Sequence, residues 1–318
     1  MMLVRIVYLA ICFLFVPVAL AKDLNILVTI NPIYSLITNI TKNSGNTELL
    51  IRGNSSPHDY QLKPSDIKKI KNADIIFMID GDFEVFLAKY LAKNTIKAKV
   101  IKIIEFPNLV TLPARNIKVL NVVEDGHDDD QDHHHDHKAH EHCSHNVDMH
   151  IWASPLNAQI MVHEAASILS EYNPDRKNYY QKNAQSTIEK LRVLDKEIAK
   201  ILDKKIQQKP FIVFHDGYQY FEQQYHLNNV GVVAGNNFVY GPKTMKRLRE
   251  NIEEYNIKCI FAEPQFSDYL MQKVAKTTGT KLGYIDIEWG TFGEPVASED
   301  LYFFMMKRDA ENIRACLS

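Results

Sequence analysis

Apolar positions along this chain follow two alternating rhythms. Short β-branched-rich runs at Asn25 to Ile30, Glu48 to Ile51, Asp74 to Ile79 and Lys99 to Ile103 predict strands. Between them apolar residues return every three or four positions. Ile33, Leu36, Ile37 and Ile40 mark one helical face behind Asn31-Pro32, and Gly81 to Ala92 predicts a second helix. Pro64-Ser65-Asp66 opens another, with Ser65 as the expected cap and Ile67 and Ile70 on the buried side. The rhythm resumes later, with strands at Pro210 to Phe214, Cys259 to Ala262 and Lys281 to Ile285. Helices are expected at Lys243 to Tyr255, Ser267 to Thr277 and Ser298 to about Ile313. Between the halves, Asn157 to Tyr172 reads as an amphipathic helix ended by Asn173-Pro174. Pro174 to about Ile206 follows as one long charged helix, with Ile188, Leu191, Leu194, Ile198 and Leu202 on its apolar stripe. The fold class is therefore α/β: two lobes with parallel-rich sheets flanked by helices, joined by one long rigid helix. In such sheets a ligand sits at the carboxyl ends of the strands.

A chain of 318 residues is long enough for two domains. The organisation expected is a leader at 1–21, an amino-terminal lobe at 22–173, a connecting helix at 174–208 and a carboxyl-terminal lobe at 209–318. The leader has Arg5 as its lone charge and an apolar run from Ile6 to Val18, with Ala19-Leu20-Ala21 as a small-x-small cleavage site. The run is short for a spanning helix. Cleavage after Ala21, export and a soluble mature protein are the expectation. Cys12 lies inside the apolar run and not at the cleavage point, so a lipid-anchored amino terminus is not expected.

Composition changes this picture in two places. Removing the leader takes away one arginine and leaves 36 basic and 39 acidic residues, a formal net charge of −3. Residues 124–148 alone hold nine acids and one lysine, so the remainder carries 35 basic against 30 acidic residues, a net of +5. That excess is too mild and scattered for a nucleic-acid partner. Three cysteines outlast the leader. Cys259 and Cys316 are the expected disulfide in an oxidising compartment, because Cys143 lies in a loose tract; two free buried thiols are the alternative.

That tract is the most unusual stretch of the chain. Eight histidines, His127, His133, His134, His135, His137, His140, His142 and His145, alternate with acids within 124–146. It reads as a weak accessory metal loop, and a solvated loop without a role is the alternative. A different setting surrounds three other histidines. His58, His150 and His215 each lie at or just beyond a predicted strand, beside aromatic residues, and Asp286 ends another strand. The gaps between these four are 92, 65 and 71 residues, which no local zinc-finger spacing matches. They can meet only if two sheet edges face one cleft. Three imidazoles with one carboxylate suit zinc better than manganese, which prefers oxygen donors. Asp59 and Asp216 directly follow two of the histidines, either as partners of the rings or as caps of the next turn.

The motifs in order are Asn31-Pro32, Pro57-His58-Asp59-Tyr60 with Pro64-Ser65-Asp66, Asp148-Met149-His150-Ile151-Trp152 with Ser154-Pro155, Phe214-His215-Asp216-Gly217-Tyr218, Glu263-Pro264-Gln265 and Tyr284-Ile285-Asp286. Over nearly the whole mature chain they resemble the cluster A-I, or cluster 9, solute-binding proteins, the periplasmic zinc-binding components of ABC importers. The resemblance implies zinc held between two lobes and delivered to a membrane permease with its ATPase behind it, by a monomer that is not an enzyme. It implies His58, His150 and His215 as ligands, with Asp286 at the position of the family's carboxylate. It also implies the Cys259–Cys316 bridge and a histidine-rich acidic loop. Manganese-binding relatives carry Glu where this chain has His215. Two departures stand out. Some relatives place a ligating Glu before the first histidine, where this chain has Pro57. The usual Asp-Pro-Leu-Gly is Asp286-Ile287-Glu288-Trp289-Gly290 here, which leaves Glu288 as a minor rival to Asp286.

Two other functions fit the same residues. A periplasmic zinc buffer or adhesion-associated protein would need no permease. A zinc hydrolase would need an open coordination position and a poised base. His163-Glu164 lacks the second histidine of a zinc-protease helix, and a fourth protein ligand would leave no place for reactive water.

Overall fold

The computed structural model describes residues 23–42, 44–53, 55–115, 147–233, 242–266, 268–289 and 296–318. The leader and the histidine-rich tract at 124–146 lie outside them. In the first lobe, β1 (Asn25–Val28), α1 (Asn31–Thr41), β2 (Asn46–Leu49), α2 (Pro64–Asn72), β3 (Ile75–Met78), α3 (Val85–Lys93) and β4 (Lys99–Lys102) alternate as the pattern predicts. The four strands form one parallel sheet in the order β2-β1-β3-β4. All four residues of β3 are buried, as expected for a strand covered on both faces.

Next come α4 (Pro155–Tyr172), α5 (Lys177–Ile201) and the short α6 (Lys204–Gln207). The second lobe contains β5 (Phe211–Val213), α7 (Gln219–Tyr225), β6 (Asn229–Val232), α8 (Pro242–Glu254), β7 (Cys259–Ala262), α9 (Tyr269–Thr278), β8 (Lys281–Tyr284) and α10 (Leu301–Leu317). Its parallel sheet has the order β6-β5-β7-β8, the same pattern as the first. In both sheets the order reverses beside the first strand, between β1 and β3 and between β5 and β7. Such reversals open a crevice at the strands' carboxyl ends.

The long helix departs from its predicted length. Asn173-Pro174 leads into a 3₁₀ turn at Pro174–Arg176 before α5 begins. At the other end, Asp203 accepts from the Lys205 and Ile206 amides and caps α6 as a separate turn. Helix α5 packs on α1, α4 and α10, with Tyr180, Leu191 and Ile198 wholly buried. Because α10 follows the second sheet while α1 belongs to the first, this helix is a spine gripped from both sides. Two further elements, α7 and β6, carry no clear sequence signal: α7 is only two turns long, and Gly231 interrupts β6. Nor is Ser65 the cap of α2. Pro64 occupies the first turn, and the Asp66 carboxylate reaches back to the Lys63 amide at 2.9 Å.

A disulfide joins Cys259 on β7 to Cys316 on α10, with Cα atoms 5.9 Å apart and a sequence separation of 57. No helix of the described residues is long and apolar enough to cross a membrane.

One buried carboxylate ties the first sheet together at its crevice. Glu84 Oε1 accepts from Thr29 Oγ1 at 2.6 Å and from the Ile79 amide at 3.0 Å, and Oε2 accepts from the Asp80 amide at 3.1 Å. These bonds link the ends of β1 and β3 and hold the neighbouring Phe83. Complete burial, only partly opposed by those bonds, pushes the Glu84 carboxyl up to about 7. The folded state therefore binds more protons than the unfolded state between the ordinary value of 4.5 and about 7, and stability falls as pH rises through that window. Glu84→Gln removes the titration. Denaturant unfolding of both forms is expected to show the stability of the unmodified protein dropping by about 3 kcal/mol relative to the variant from pH 4.5 to above 7. A pH-independent difference would contradict this.

Candidate metal centre

Each histidine reaches the crevice from a different connection. His58 follows β2 on a turn whose Ser56 hydroxyl accepts the His58 amide at 3.3 Å. His150 stands just before a 3₁₀ turn at Ile151–Ala153 that leads into α4 through the Ser154 cap. The approach to it is fixed by an antiparallel bridge between Pro113 and Val147. His215 lies just past the end of β5. Gly217 is required beside it, since a Cβ there would come within 2.7 Å of the His215 Nε2.

One donor atom from each of His58, His150 and His215 lies within 4.8 Å of the other two. The His150 and His215 Nε2 atoms are 3.5 Å apart. Two nitrogens bound to one tetrahedral zinc at about 2.0–2.1 Å would lie about 3.3 Å apart. The spacing therefore fits one ion without rearrangement of those two rings. Ring centroids are 5.4 Å apart for His150 and His215, 5.7 Å for His58 and His150, and 6.1 Å for His58 and His215.

Buried carboxylates fix two of the rings from behind. Asp148 Oδ1 lies 2.8 Å from His150 Nδ1 and accepts the His150 amide at 3.0 Å. Glu263 Oε1 lies 2.7 Å from His215 Nδ1. A carboxylate on Nδ1 places that nitrogen's proton and leaves Nε2 facing the cleft as the ligand atom. Burial opposes a charged His215 ring, but the Glu263 carboxylate outweighs it and lifts the imidazole to about 9. Asp148 is pushed upward by burial too, yet His150 holds it below the usual carboxylate range. Metal binding must accordingly displace a proton from the cluster at neutral pH.

These partners are not the residues that sequence adjacency points to. Asp216 turns away from His215 and binds the Arg115 guanidinium, at 2.5 Å from Nη2 and 3.1 Å from Nε, while Arg115 Nη1 meets Glu222 at 2.6 Å. Asp148 stands two positions before its histidine in the same motif. Glu263 comes from the end of β7, across the crevice from β5, and only the sheet order brings it near.

Aromatic groups make the walls. Phe83 meets His58 edge to face at 5.0 Å, and it also contacts the rings of His150 and Trp152. Phe266 lies 5.8 Å from His215. His150 is buried, whereas His58 keeps about a third of its side chain exposed, 32%, and forms the open side.

Asp286 is fully buried and is not in the group of mutually close donors. Its Oδ1 accepts from Gln265 Nε2 at 2.6 Å, from the Trp289 amide at 2.7 Å and from the Glu288 amide at 3.1 Å. Glu288 is not in that group either, but its Oε1 lies 3.8 Å from His58 Nε2. Burial pushes its carboxyl up to about 7, against the pull of His215.

Two α/β lobes on a rigid helical spine, with three imidazoles gathered in the crevice between the sheets, define a solute-binding protein of the cluster A-I type. The chain belongs to the ZnuA family, described as the periplasmic component A of a zinc-uptake complex, whose profile matches residues 26–316. The high-affinity zinc uptake system protein ZnuA of Brucella suis biovar 1 (strain 1330) is 32% identical over 326 aligned positions, covering 92% of this chain and 91% of the relative. ZnuA of Yersinia pestis is 32% identical over 254 positions, covering 76% and 75%. Among solved structures, a crystal structure of ZnuA superposes with a TM-score of 0.73 at 23% identity, over 93% of this chain and all of the other, which speaks to the fold. Zn(II)-bound AdcA of Streptococcus pneumoniae matches with a TM-score of 0.70 at 26% identity, over 92% of this chain and 57% of its own.

Proposed function

We propose that this chain captures zinc in the periplasm and hands it to the membrane permease of an ABC importer, with the ATPase acting behind that permease. The observation that carries the reading is the convergence of His58, His150 and His215. Their donor atoms lie within 4.8 Å of one another, and two of the rings are braced by buried carboxylates. Family membership and the zinc uptake proteins among its relatives support it. Zinc is the cargo. The imidazoles hold it as Nε2 donors, and Asp148 and Glu263 keep the rings aimed.

In this reading the leader at 1–21 is cleaved after Ala21. The working units are an amino-terminal lobe at 22–173, a connecting helix at 174–208 and a carboxyl-terminal lobe at 209–318. The histidine-rich loop at 124–146 lies in the segment between Arg115, which binds Asp216, and Val147, which precedes Asp148. It acts as a weak collector of zinc beside the tight site.

A competition titration with a zinc chelator on the mature protein, with and without residues 124–146, tests the assignment. One tight zinc should remain in both forms, with extra weak binding lost on deletion. Loss of the tight zinc on deletion would move the site into the loop and overturn the reading. For the partner, the zinc-loaded protein should bind the permease in detergent.

A further inference from the structure

We infer that Glu288, and not Asp286, supplies the carboxylate that completes the coordination of zinc by His58, His150 and His215. The inference rests on the zinc reading above and adds the fourth ligand to it. Zinc held entirely by protein takes four donors in a tetrahedral arrangement. Three are imidazoles, so the question is which acid the fold aims at the remaining position.

Asp286 is committed elsewhere. Three donors converge on its Oδ1, namely the Gln265 side chain and the Glu288 and Trp289 amides. Its own amide donates to the Asp309 carboxylate at 3.2 Å. The carboxylate thus organises the turn that follows β8, in which Trp289 adopts a left-handed φ of 54°. That turn is pinned to the opposite lobe on both sides of Glu288. Trp152 Nε1 donates to the Ile287 carbonyl at 2.9 Å, and Asn31 Nδ2 donates to the Trp289 carbonyl at 3.0 Å.

Held in this way, Glu288 presents its carboxylate to His58. Oε1 is 3.8 Å from His58 Nε2 and accepts from Ser56 Oγ at 2.9 Å. Two donors of one tetrahedral zinc lie about 3.3 Å apart, so the pair with His58 needs a shift of about half an ångström, and the carboxylate must also close on His150 and His215, since it is not among the donors that all lie within 4.8 Å of one another. The Glu288 side chain is 5% exposed, and its Oε2 has no hydrogen-bond partner among the described residues. An orphaned oxygen at that depth is costly unless something positive meets it. Zinc bound through Oε1, which keeps the Ser56 hydroxyl as a second partner, brings that positive charge to the carboxylate. Asp286 then acts as a positioning residue: it shapes the loop that carries the ligand.

Cobalt(II) is the probe, since its visible absorption responds to the donor set, alongside zinc competition on the same proteins. Glu288→Gln is expected to lower zinc affinity by at least ~10-fold and to change the cobalt spectrum. Asp286→Asn keeps an acceptor oxygen in the turn and should leave the spectrum as in the unmodified protein. Unchanged affinity and spectrum in a folded Glu288→Gln protein would overturn the assignment. If that variant does not fold, crystals of the zinc-loaded unmodified protein decide. A Glu288 oxygen at about 2.0–2.2 Å from zinc is expected, and an Asp286 oxygen or water in its place would refute it. Failure of the unmodified protein to bind cobalt at the three histidines would instead sink the zinc reading itself.

Discussion

Replacing His58 or His150 with alanine is expected to weaken zinc binding by more than ~100-fold, beyond the ~10–100-fold that follows loss of a residue bracing a ligand. The reasoning is geometric. Among the described residues three imidazoles share the centre, and the Nε2 atoms of His150 and His215 already stand close to the spacing that one ion requires. With one removed, two nitrogens remain, and no other histidine among the described residues stands within that 4.8 Å group. His58 gives the cleaner test, because its side chain is 32% exposed whereas that of His150 is 10% exposed. His150→Ala strips Asp148 of its partner as well, so its stability needs checking by thermal melting. Glu263→Gln supplies the graded control. The amide can still approach His215 Nδ1, but it no longer stabilises the ring as a carboxylate does, and a loss of about 10–100-fold is expected. Chelator competition on the purified variants reads all three. Equal losses in a variant remote from the cleft, such as one at His163, would show that the measurement reports folding instead.

The second large effect concerns stability. Removing the disulfide by Cys259→Ser with Cys316→Ser is expected to cost roughly 4 kcal/mol, from the unfolded-chain entropy that a loop of this size releases. The bridge anchors the end of α10 to β7. That helix packs on α1 and α5 as well as on β8, and it buries Tyr302, Met305, Met306 and Ile313. The Tyr302 hydroxyl donates to the Trp152 carbonyl at 2.8 Å, directly behind the His150 turn. Loosening α10 should therefore cost both lobes and blunt zinc binding only secondarily. Denaturant unfolding of the double variant, and of the unmodified protein under reducing conditions, should give matching losses. Unchanged stability in both would contradict the account.

Much of this architecture was written in the apolar pattern. Each strand that carries a branched run, such as Ile75–Met78, declares itself, because burial on both faces demands uninterrupted apolar side chains. Residues whose role depends on sheet order were not legible in the same way. Glu263 sits 48 positions from His215, and only the pairing of β5 with β7 places it behind that ring. Asp216 misled for the converse reason: chain adjacency says nothing about direction, and Arg115, 101 positions earlier, takes its carboxylate. The three histidines could be nominated from their aromatic settings and their motifs. The division of labour between Asp286 and Glu288 depends on a turn whose shape is set by contacts from the other lobe.

The measurement closest to the central claim is an anomalous difference map at the zinc absorption edge, from crystals of the mature protein loaded with one equivalent of zinc. The account predicts one dominant peak in the crevice, at about 2.0–2.1 Å from the Nε2 atoms of His58, His150 and His215 together. A dominant peak elsewhere, or one touching fewer than all three of these imidazoles, would contradict it.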